Sequence, residues 1–154
     1  MKQSKKDFIR LVPISNGTVL DHLPVKTALK ILEMLNLNYE WAVTIAINTE
    51  SKKLGRKDLI FIDKKALNSA EIEKIGLIAK GATLNIIENS VVKKKEKISL
   101  PKKVTGILSC INPNCITNFE GFPTKFSIHE SPLEAKCFYC EKTMDEKEIF
   151  EKIR

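Results

Sequence analysis

The sequence lacks the features of several large classes of protein. No apolar run is long enough to cross a bilayer or to act as a secretory signal, since Met1 is followed by a mixed, charged segment. There is no glycine-rich phosphate-binding loop and no local motif of a serine-histidine-aspartate triad, and the chain has only two histidines, His22 and His129. We therefore expect a cytoplasmic protein without a membrane span and without a catalytic constellation.

Cysteine is also scarce, but its four copies form two close pairs. Cys110 and Cys115 have four residues between them, and Cys137 and Cys140 have two. Ligands at these spacings can occupy two corners of a tetrahedral zinc site, so the two pairs together can supply all four. A closed set of thiolates leaves no position for water or substrate, which predicts a structural zinc ion. The alternative is two disulfides, which need an oxidising compartment that the sequence does not indicate.

Charge is concentrated in one segment. The formal net charge of the 154 residues is +7, and residues 93–103, with six lysines and one glutamate, contribute +5 of it. Such a run is typical of a solvated linker, and a phosphate-binding edge is the alternative. Because the helix and strand patterns also stop there, we place a boundary in this segment and predict two domains, residues 1–97 and 98–154.

The first part of the chain predicts a strand, a turn and a helix. Residues 8–14 have the pattern of a strand, which the turn signal of residues 15–17 interrupts before the extended run resumes. Pro24 suits the first turn of a helix. The apolar stripe of this helix would contain Val25, Ala28, Leu29, Ile31, Leu32 and Leu35. Asp21 and His22 would then lie at a strand-to-helix junction, where complementing the helix dipole and local hydrogen bonding are their ordinary roles.

A hairpin and a second helix follow. In residues 41–48 large apolar side chains alternate with alanine or a polar residue, and residues 59–62 are apolar, so we expect two strands of an antiparallel hairpin. Residues 68–71 resemble a capping box. The stripe of the helix after it would contain Ile72, Ile75 and Ala79. Residues 84–87 predict a further strand, and residues 91–92 extend the sheet after a turn at residues 88–90. This order of elements is that of a ferredoxin-like α+β domain, β-α-β-β-α-β, with an antiparallel sheet and both helices on one face.

The remainder of the chain is too short to bury a sufficient core without help, which is a second reason to expect bound metal. Residues 125–129 and 135–138 predict strands. The charged segment 145–154 has apolar residues at helix-like spacing, so it is either a terminal helix or a docking tail. The predicted fold class is therefore α+β, with a ferredoxin-like N-terminal domain followed by a small, zinc-bound, β-rich domain.

Five motifs resemble the regulatory chain of aspartate carbamoyltransferase. They are GTVLDHLP at 17–24, GRKDLI at 55–60, ATLN at 82–85, CINPNCI at 110–116 and CFYCE at 137–141. The resemblance extends from about residue 8 to the C-terminus, with both domains in the family order.

The resemblance implies a non-catalytic subunit of the enzyme that commits carbamoyl phosphate and aspartate to pyrimidine synthesis. In that family the N-terminal domain binds nucleoside triphosphates, with CTP, helped by UTP, lowering activity and ATP raising it. The zinc domain, with one structural zinc per chain, binds the catalytic chain. Regulatory chains pair through their N-terminal sheets, and three such dimers join two catalytic trimers. The effectors must favour different quaternary states, since a ligand bound equally by both states shifts nothing. No membrane and no nucleic acid is expected as a partner.

The resemblance also assigns residues to the two sites. The zinc ligands are Cys110, Cys115, Cys137 and Cys140. Lys95, together with His22, would contact the triphosphate, and Asp21 and Lys57 would contact the base and ribose. Backbone or apolar contacts would come from Pro13, Ile14, Val19, Leu59, Asn85, Ile87 and Val92.

The pocket departs from the family pattern at three positions. Phe61 stands where better-known members have a lysine that reaches the base and ribose, Ser90 stands in place of a tyrosine, and Val12 replaces an acidic residue at the rim. Strand alternation puts Phe61 on the same face as Lys57, so it should line the site without supplying a hydrogen-bond donor. We therefore expect weak discrimination among nucleotides.

Two other functions compete with this interpretation. A zinc knuckle beside a ferredoxin-like sheet with a basic edge also describes RNA-binding modules. Those modules, however, present several stacking rings on a central strand, and residues 57–62 offer only Phe61. An enzyme that uses zinc is disfavoured by the closed set of thiolates.

Overall fold

The structure is a computed structural model that describes residues 14–37 and 39–154. Within these residues the chain forms two antiparallel sheets, one in each half. The first half contains β1 (Gly17–Leu23), α1 (Ala28–Leu35), β2 (Val43–Ser51), β3 (Gly55–Asp63), α2 (Ser69–Ile78), β4 (Thr83–Glu88) and β5 (Val91–Lys97). The second contains β6 (Lys103–Thr105), β7 (Lys125–His129), β8 (Glu134–Cys137), β9 (Thr143–Asp145) and α3 (Glu146–Lys152), with a short 3-10 helix at Ile116–Asn118. The strand predicted for residues 8–14 lies almost wholly outside the described residues.

The N-terminal sheet has the order β2-β3-β1-β4-β5, and all its strand pairs are antiparallel. Side chains of Leu20, Ile60 and Leu84 point from one face of this sheet into the core, which Ile31 of α1 and Ile75 of α2 complete. The opposite face carries no helix of the described chain and is called the open face below. The ferredoxin-like prediction is confirmed for this half, with β5 added beside β4.

Helix α1 begins later than the sequence suggests. Residues 24–26 form a turn instead of the first helical turn, because Lys26 adopts a left-handed conformation with φ of 73° that a helix cannot continue. Of the predicted stripe, Val25 is exposed at the surface and Leu29 is 62% exposed, whereas Met34, which was not predicted, is buried. The stripe prediction is therefore wrong at these positions.

Helix α2 begins with the predicted capping box. The side chain of Asn68 accepts the N–H of Glu71, and the carboxylate of Glu71 accepts the N–H of Asn68. On its inner side, a Cβ placed on Gly76 would lie 2.4 Å from the carbonyl oxygen of Ser99. The segment between the two halves therefore runs directly over α2, close enough that any larger residue at Gly76 would displace it.

The lysine run is a strand in its first part, which corrects the prediction of a linker there. Strand β5 extends through Lys97, and all seven of its residues are exposed. An edge strand with solvent on both faces needs no apolar alternation, because its backbone pairs with β4 whatever its side chains are. The irregular linker is thus shorter than predicted.

The second half forms the sheet β6-β7-β8-β9, with α3 packed beside it. The predicted strands at 125–129 and 135–138 are present, the second shifted by one residue. The terminal segment is a helix, capped by Asp145 and anchored by the buried Ile149. Among the helices that the structure describes, none combines the length and the apolar character needed to cross a membrane.

Candidate metal centre and open sheet face

The four cysteines come together at one point in the second half of the chain. Their sulfurs lie within 4.8 Å of one another, with 3.5 Å between Cys110 and Cys140 and 3.8 Å between Cys115 and Cys137. A tetrahedron with metal–sulfur bonds of about 2.3 Å has edges of about 3.8 Å, so these separations fit one zinc-sized ion. All four thiols are free, so the alternative of two disulfides is not realised.

The protein surroundings of the thiols shift their pKa values in opposite directions. Burial raises the pKa of Cys110 and of Cys137. At Cys140 burial acts in the same direction, but hydrogen bonds from the backbone of Lys142 and from the side chains of Asn112, Cys110 and Cys137 outweigh it and lower the pKa to about 7. Donors directed at sulfur stabilise the thiolate form, which is the form that binds metal.

Polar residues beside the first cysteine pair hold its loop in shape. The amide of Asn118 donates to the carbonyl oxygens of Cys110, at 3.4 Å, and Asn112, at 2.7 Å. The hydroxyl of Thr117, which is buried, donates to the sulfur of Cys115 at 3.2 Å. Thr117 and Asn118 were not among the predicted site residues, although polar residues directly after a ligand pair are a signal for such supporting contacts.

The residues predicted to contact nucleotide share the open face of the N-terminal sheet. Strand pairing aligns Phe61 with Val19, Val19 with Asn85, and Asn85 with Lys95, so one row crosses four strands. Alternation along the strands adds further predicted residues to this face. These are Asp21, Lys57, Leu59 and Ile87, together with Val92, which pairs with Ile87.

Two predicted positions lie at the end of the sheet. Ile14 is described and precedes Ser15, whose carbonyl accepts the N–H of Ser90 in the β4–β5 turn, so Ile14 leads into the sheet beside that turn. Pro13, like Val12, lies outside the described residues. Ser90 itself has φ of 64° and is exposed at the turn.

Asp21 and His22 are gathered by a bulge in β1. The pairing of β1 with β3 shifts between Leu20 and Leu23, and His22 has φ of 56°. The Nζ of Lys57 lies 2.7 Å from Oδ1 of Asp21, and the Nδ1 of His22 lies 3.3 Å from Oγ1 of Thr83. Because the bulge interrupts the alternation, two consecutive side chains reach the open face.

A buried carboxylate supports the start of α1 and a second irregularity, in β2. Asp58 is fully buried, and its two carboxylate oxygens accept the N–H of Ala28 at the start of α1 and the N–H of Asn48. The pairing of β2 with β3 shifts around Asn48, which leaves its N–H in need of a partner. Thr27, the residue that caps α1, makes no side-chain capping bond, so Asp58 fills that role from another strand.

A groove opens beside Lys57 on the β2 side of the sheet. It has a volume of about 840 Å³ and is lined by residues of β2 and β3 that include Ala46, Asn48, Arg56, Lys57 and Leu59. Strands β3 and β5 are separated by three inter-strand spacings, or about 14 Å. The open face can therefore accommodate an extended, anionic ligand between Lys57 and Lys95.

Comparison with known proteins matches both halves of the chain. Residues 9–99 match the family model described as the aspartate carbamoyltransferase regulatory chain, allosteric domain, and residues 102–150 match that of the metal binding domain.

Relatives named aspartate carbamoyltransferase regulatory chain are similar over nearly their whole length. The protein of Thermococcus sibiricus is 48% identical over 90% of this chain and 93% of its own. That of Pyrococcus horikoshii is 46% identical over 92% and 95%, and that of Methanococcus vannielii is 44% identical over 87% and 91%. These matches favour the regulatory-chain interpretation over the RNA-binding alternative.

Proposed function

Because this chain belongs to the family of aspartate carbamoyltransferase regulatory chains, whose members are non-catalytic, we propose that it binds nucleoside triphosphates on its open face and a catalytic chain through its metal domain. The motif-based identification of the family is confirmed. The division proposed is residues 1–97 for nucleotide binding and 98–154 for metal binding. Allosteric control of pyrimidine synthesis in the cytoplasm is the corresponding physiological role.

The row of residues across the open face is the observation that carries the nucleotide proposal. Lys95, at one end, would bind the triphosphate, together with His22. Lys57 and Asp21, already ion-paired at 2.7 Å, would bind the base and ribose beside the groove. Apolar and backbone contacts would come from Ile14, Val19, Leu59, Asn85, Ile87 and Val92. Pro13 is assigned to the site by resemblance alone.

Zinc is the metal proposed for the four cysteines, with one ion per chain. Four sulfur donors at tetrahedral spacing suit zinc, and a site closed by four protein ligands has no position for a reacting water. When bound, the ion would hold β8 and the loop of residues 110–115 together. Its function would therefore be to stabilise the domain that contacts the catalytic chain.

An exposed aromatic patch next to the metal centre supports docking of the catalytic chain. Phe138 and Tyr139, between the last two cysteines, are 71% and 36% exposed, and Phe122, which stacks on Tyr139 with 6.5 Å between the ring centroids, is 49% exposed. Exposed aromatic residues clustered in this way are typical of protein interfaces.

We propose that the N-terminal sheet separately pairs with a second copy of the chain. The edge of the sheet at β2 is available for this pairing, and Ile47 on that strand is half exposed.

Purification of the tagged chain from its native host tests the partner. A catalytic chain of aspartate carbamoyltransferase should co-purify in a stoichiometric amount, and RNA should not. Titration of the purified complex with ATP, CTP and UTP then tests nucleotide binding separately. Recovery of RNA without a catalytic chain would contradict the proposal, and a complex that binds none of the nucleotides would contradict its nucleotide part.

A further inference from the structure

The hydrogen bond from Thr117 to Cys115 is the described contact at the metal centre in which a hydroxyl donates to a sulfur. Backbone N–H groups act on the sulfurs of Cys110, Cys137 and Cys140, and the side chain of Asn112 also acts on Cys140. The described bond to the sulfur of Cys115 instead comes from a side-chain hydroxyl, at 3.2 Å. A side-chain donor can be removed by one substitution, whereas a backbone N–H cannot.

The local backbone fixes this hydroxyl in place. Thr117 is the middle residue of the 3-10 helix, and that turn is closed by hydrogen bonds from the N–H of Asn118 to the carbonyl of Cys115 and from the N–H of Phe119 to the carbonyl of Ile116. The Thr117 side chain is buried, so water does not compete readily for its hydroxyl. The bond to sulfur is therefore a built feature of the loop.

Charge explains what this bond can do. Four thiolates around a divalent ion leave a net charge of about −2, which makes the sulfurs nucleophilic and prone to attack. A hydroxyl directed at one sulfur withdraws part of that charge and orients the ligand. Partners of this kind change metal affinity by about 10–100-fold when they are removed.

We propose that Thr117 is a positioning residue of the metal centre that orients the sulfur of Cys115 and retains it on the metal. Without its hydroxyl, Cys115 becomes the ligand that leaves the metal most readily. The inference rests on the metal binding proposed above.

The test uses the full chain loaded with zinc and its Thr117→Val variant, which keeps the shape of the side chain but lacks the donor. Zinc release to a chromogenic chelator is followed during treatment with N-ethylmaleimide, and mass spectrometry identifies the first cysteine to be modified. We expect release about 10-fold faster in the variant, with Cys115 modified first. With cobalt in place of zinc, the thiolate-to-metal absorption band should also shift.

Two further variants separate a bond to sulfur from a loss of packing. Thr124, also buried in this domain, donates its hydroxyl to the carbonyl of Leu108, so Thr124→Val removes a comparable bond that does not touch a sulfur. Thr124→Val should release zinc at the wild-type rate. Thr117→Ser, which keeps a hydroxyl, should also release zinc at the wild-type rate. If Thr117→Val does not fold, the comparison of Thr117→Ser with Thr117→Ala replaces it.

The outcomes are distinguishable from those of the proposed function. The inference would be overturned if Thr117→Val released zinc at the wild-type rate and its cysteines were modified in the wild-type order. The same result in Thr117→Ala would overturn it if Thr117→Val does not fold. Equal acceleration by Thr124→Val would also overturn it. A wild-type chain that holds no metal would instead contradict the metal proposal itself.

Discussion

Asn85 and Lys95 pair directly between β4 and β5, so their side chains lie side by side on the open face. Lys94, one residue earlier, pairs with Ile86 on the other face, where its Nζ lies 3.1 Å from Oε1 of Glu96. Adjacent lysines of one run are thus sorted onto opposite sides of the sheet. This sorting gives each of them a different expected role.

Replacing Lys95 by alanine should weaken the binding of ATP and CTP alike. Charge-assisted contacts to the triphosphate contribute about 1.5–3 kcal/mol when they are direct. Calorimetric titration of the purified chain measures the loss, and Lys94→Ala is the matched control, with the same charge change on the opposite face. Equal losses from Lys95→Ala and from Lys94→Ala or Lys93→Ala would show that the whole run is a solvated edge.

Removing the carboxylate of Asp58 should destabilise the N-terminal half. In Asp58→Ala the N–H groups of Ala28 and Asn48 lose their partner, and the buried N–H of Ala28, left unsatisfied, costs about 1–3 kcal/mol. Urea unfolding followed by the fluorescence of Trp41, the single tryptophan of the chain, measures the change. Glu73→Ala, at an exposed position of α2, is the control. An unchanged unfolding midpoint in Asp58→Ala would contradict this role.

Removing the metal should unfold the second half of the chain and leave the first intact. In small metal domains the free energy of metal binding is largely the free energy of folding. Trp41 lies in the first half, where Lys65 Nζ is 4.9 Å from its ring centroid, so its emission should not change on chelation. Co-purification of the catalytic chain should be lost, both after chelation and in Cys137→Ser.

Re-addition of zinc is the control for that experiment. It should restore assembly of the chelated wild-type chain but not of Cys137→Ser, because the variant lacks a ligand. Normal assembly of Cys137→Ser on size-exclusion chromatography would show that the metal is dispensable for docking.

Features with a local cause could be predicted from the sequence. The capping box is formed by Asn68 and Glu71, which are three residues apart. The two cysteines of each pair are likewise close in sequence, so a short loop brings both to one metal site. The placement of Val19, Asn85 and Lys57 on one face follows from strand alternation once the strands are identified.

Features that depend on distant parts of the chain could not be predicted. Strand β5 exists because β4 offers its edge, and nothing in the lysine run itself indicates a strand. The irregularity at Asn48 is stabilised by Asp58 from another strand, and in the sequence Asp58 looks like an ordinary polar residue. The late start of α1 depends on the left-handed conformation of Lys26, a residue without a strong preference for it.

The departure at Phe61 gives the sharpest prediction. Phe61 lies in the row of the open face, between Val19 of β1 and Thr44 of β2. A lysine there would donate to a base carbonyl and to the ribose, whereas phenylalanine offers only ring contact. A site that lacks this donor no longer favours the base that carries the matching acceptor. We therefore expect ATP and CTP to bind with similar, modest affinity and with weak or no synergy between CTP and UTP.

Introducing the missing donor should restore the discrimination. Phe61→Lys should increase the preference for CTP over ATP, as measured by calorimetry on the purified chain. Thr44→Lys is the matched control, since it adds the same charge one strand away on the same face. It should strengthen the binding of both nucleotides without changing the ratio of their affinities. A wild-type preference for CTP of tenfold or more, about 1.4 kcal/mol, would mean that another residue already supplies the donor that Phe61 lacks.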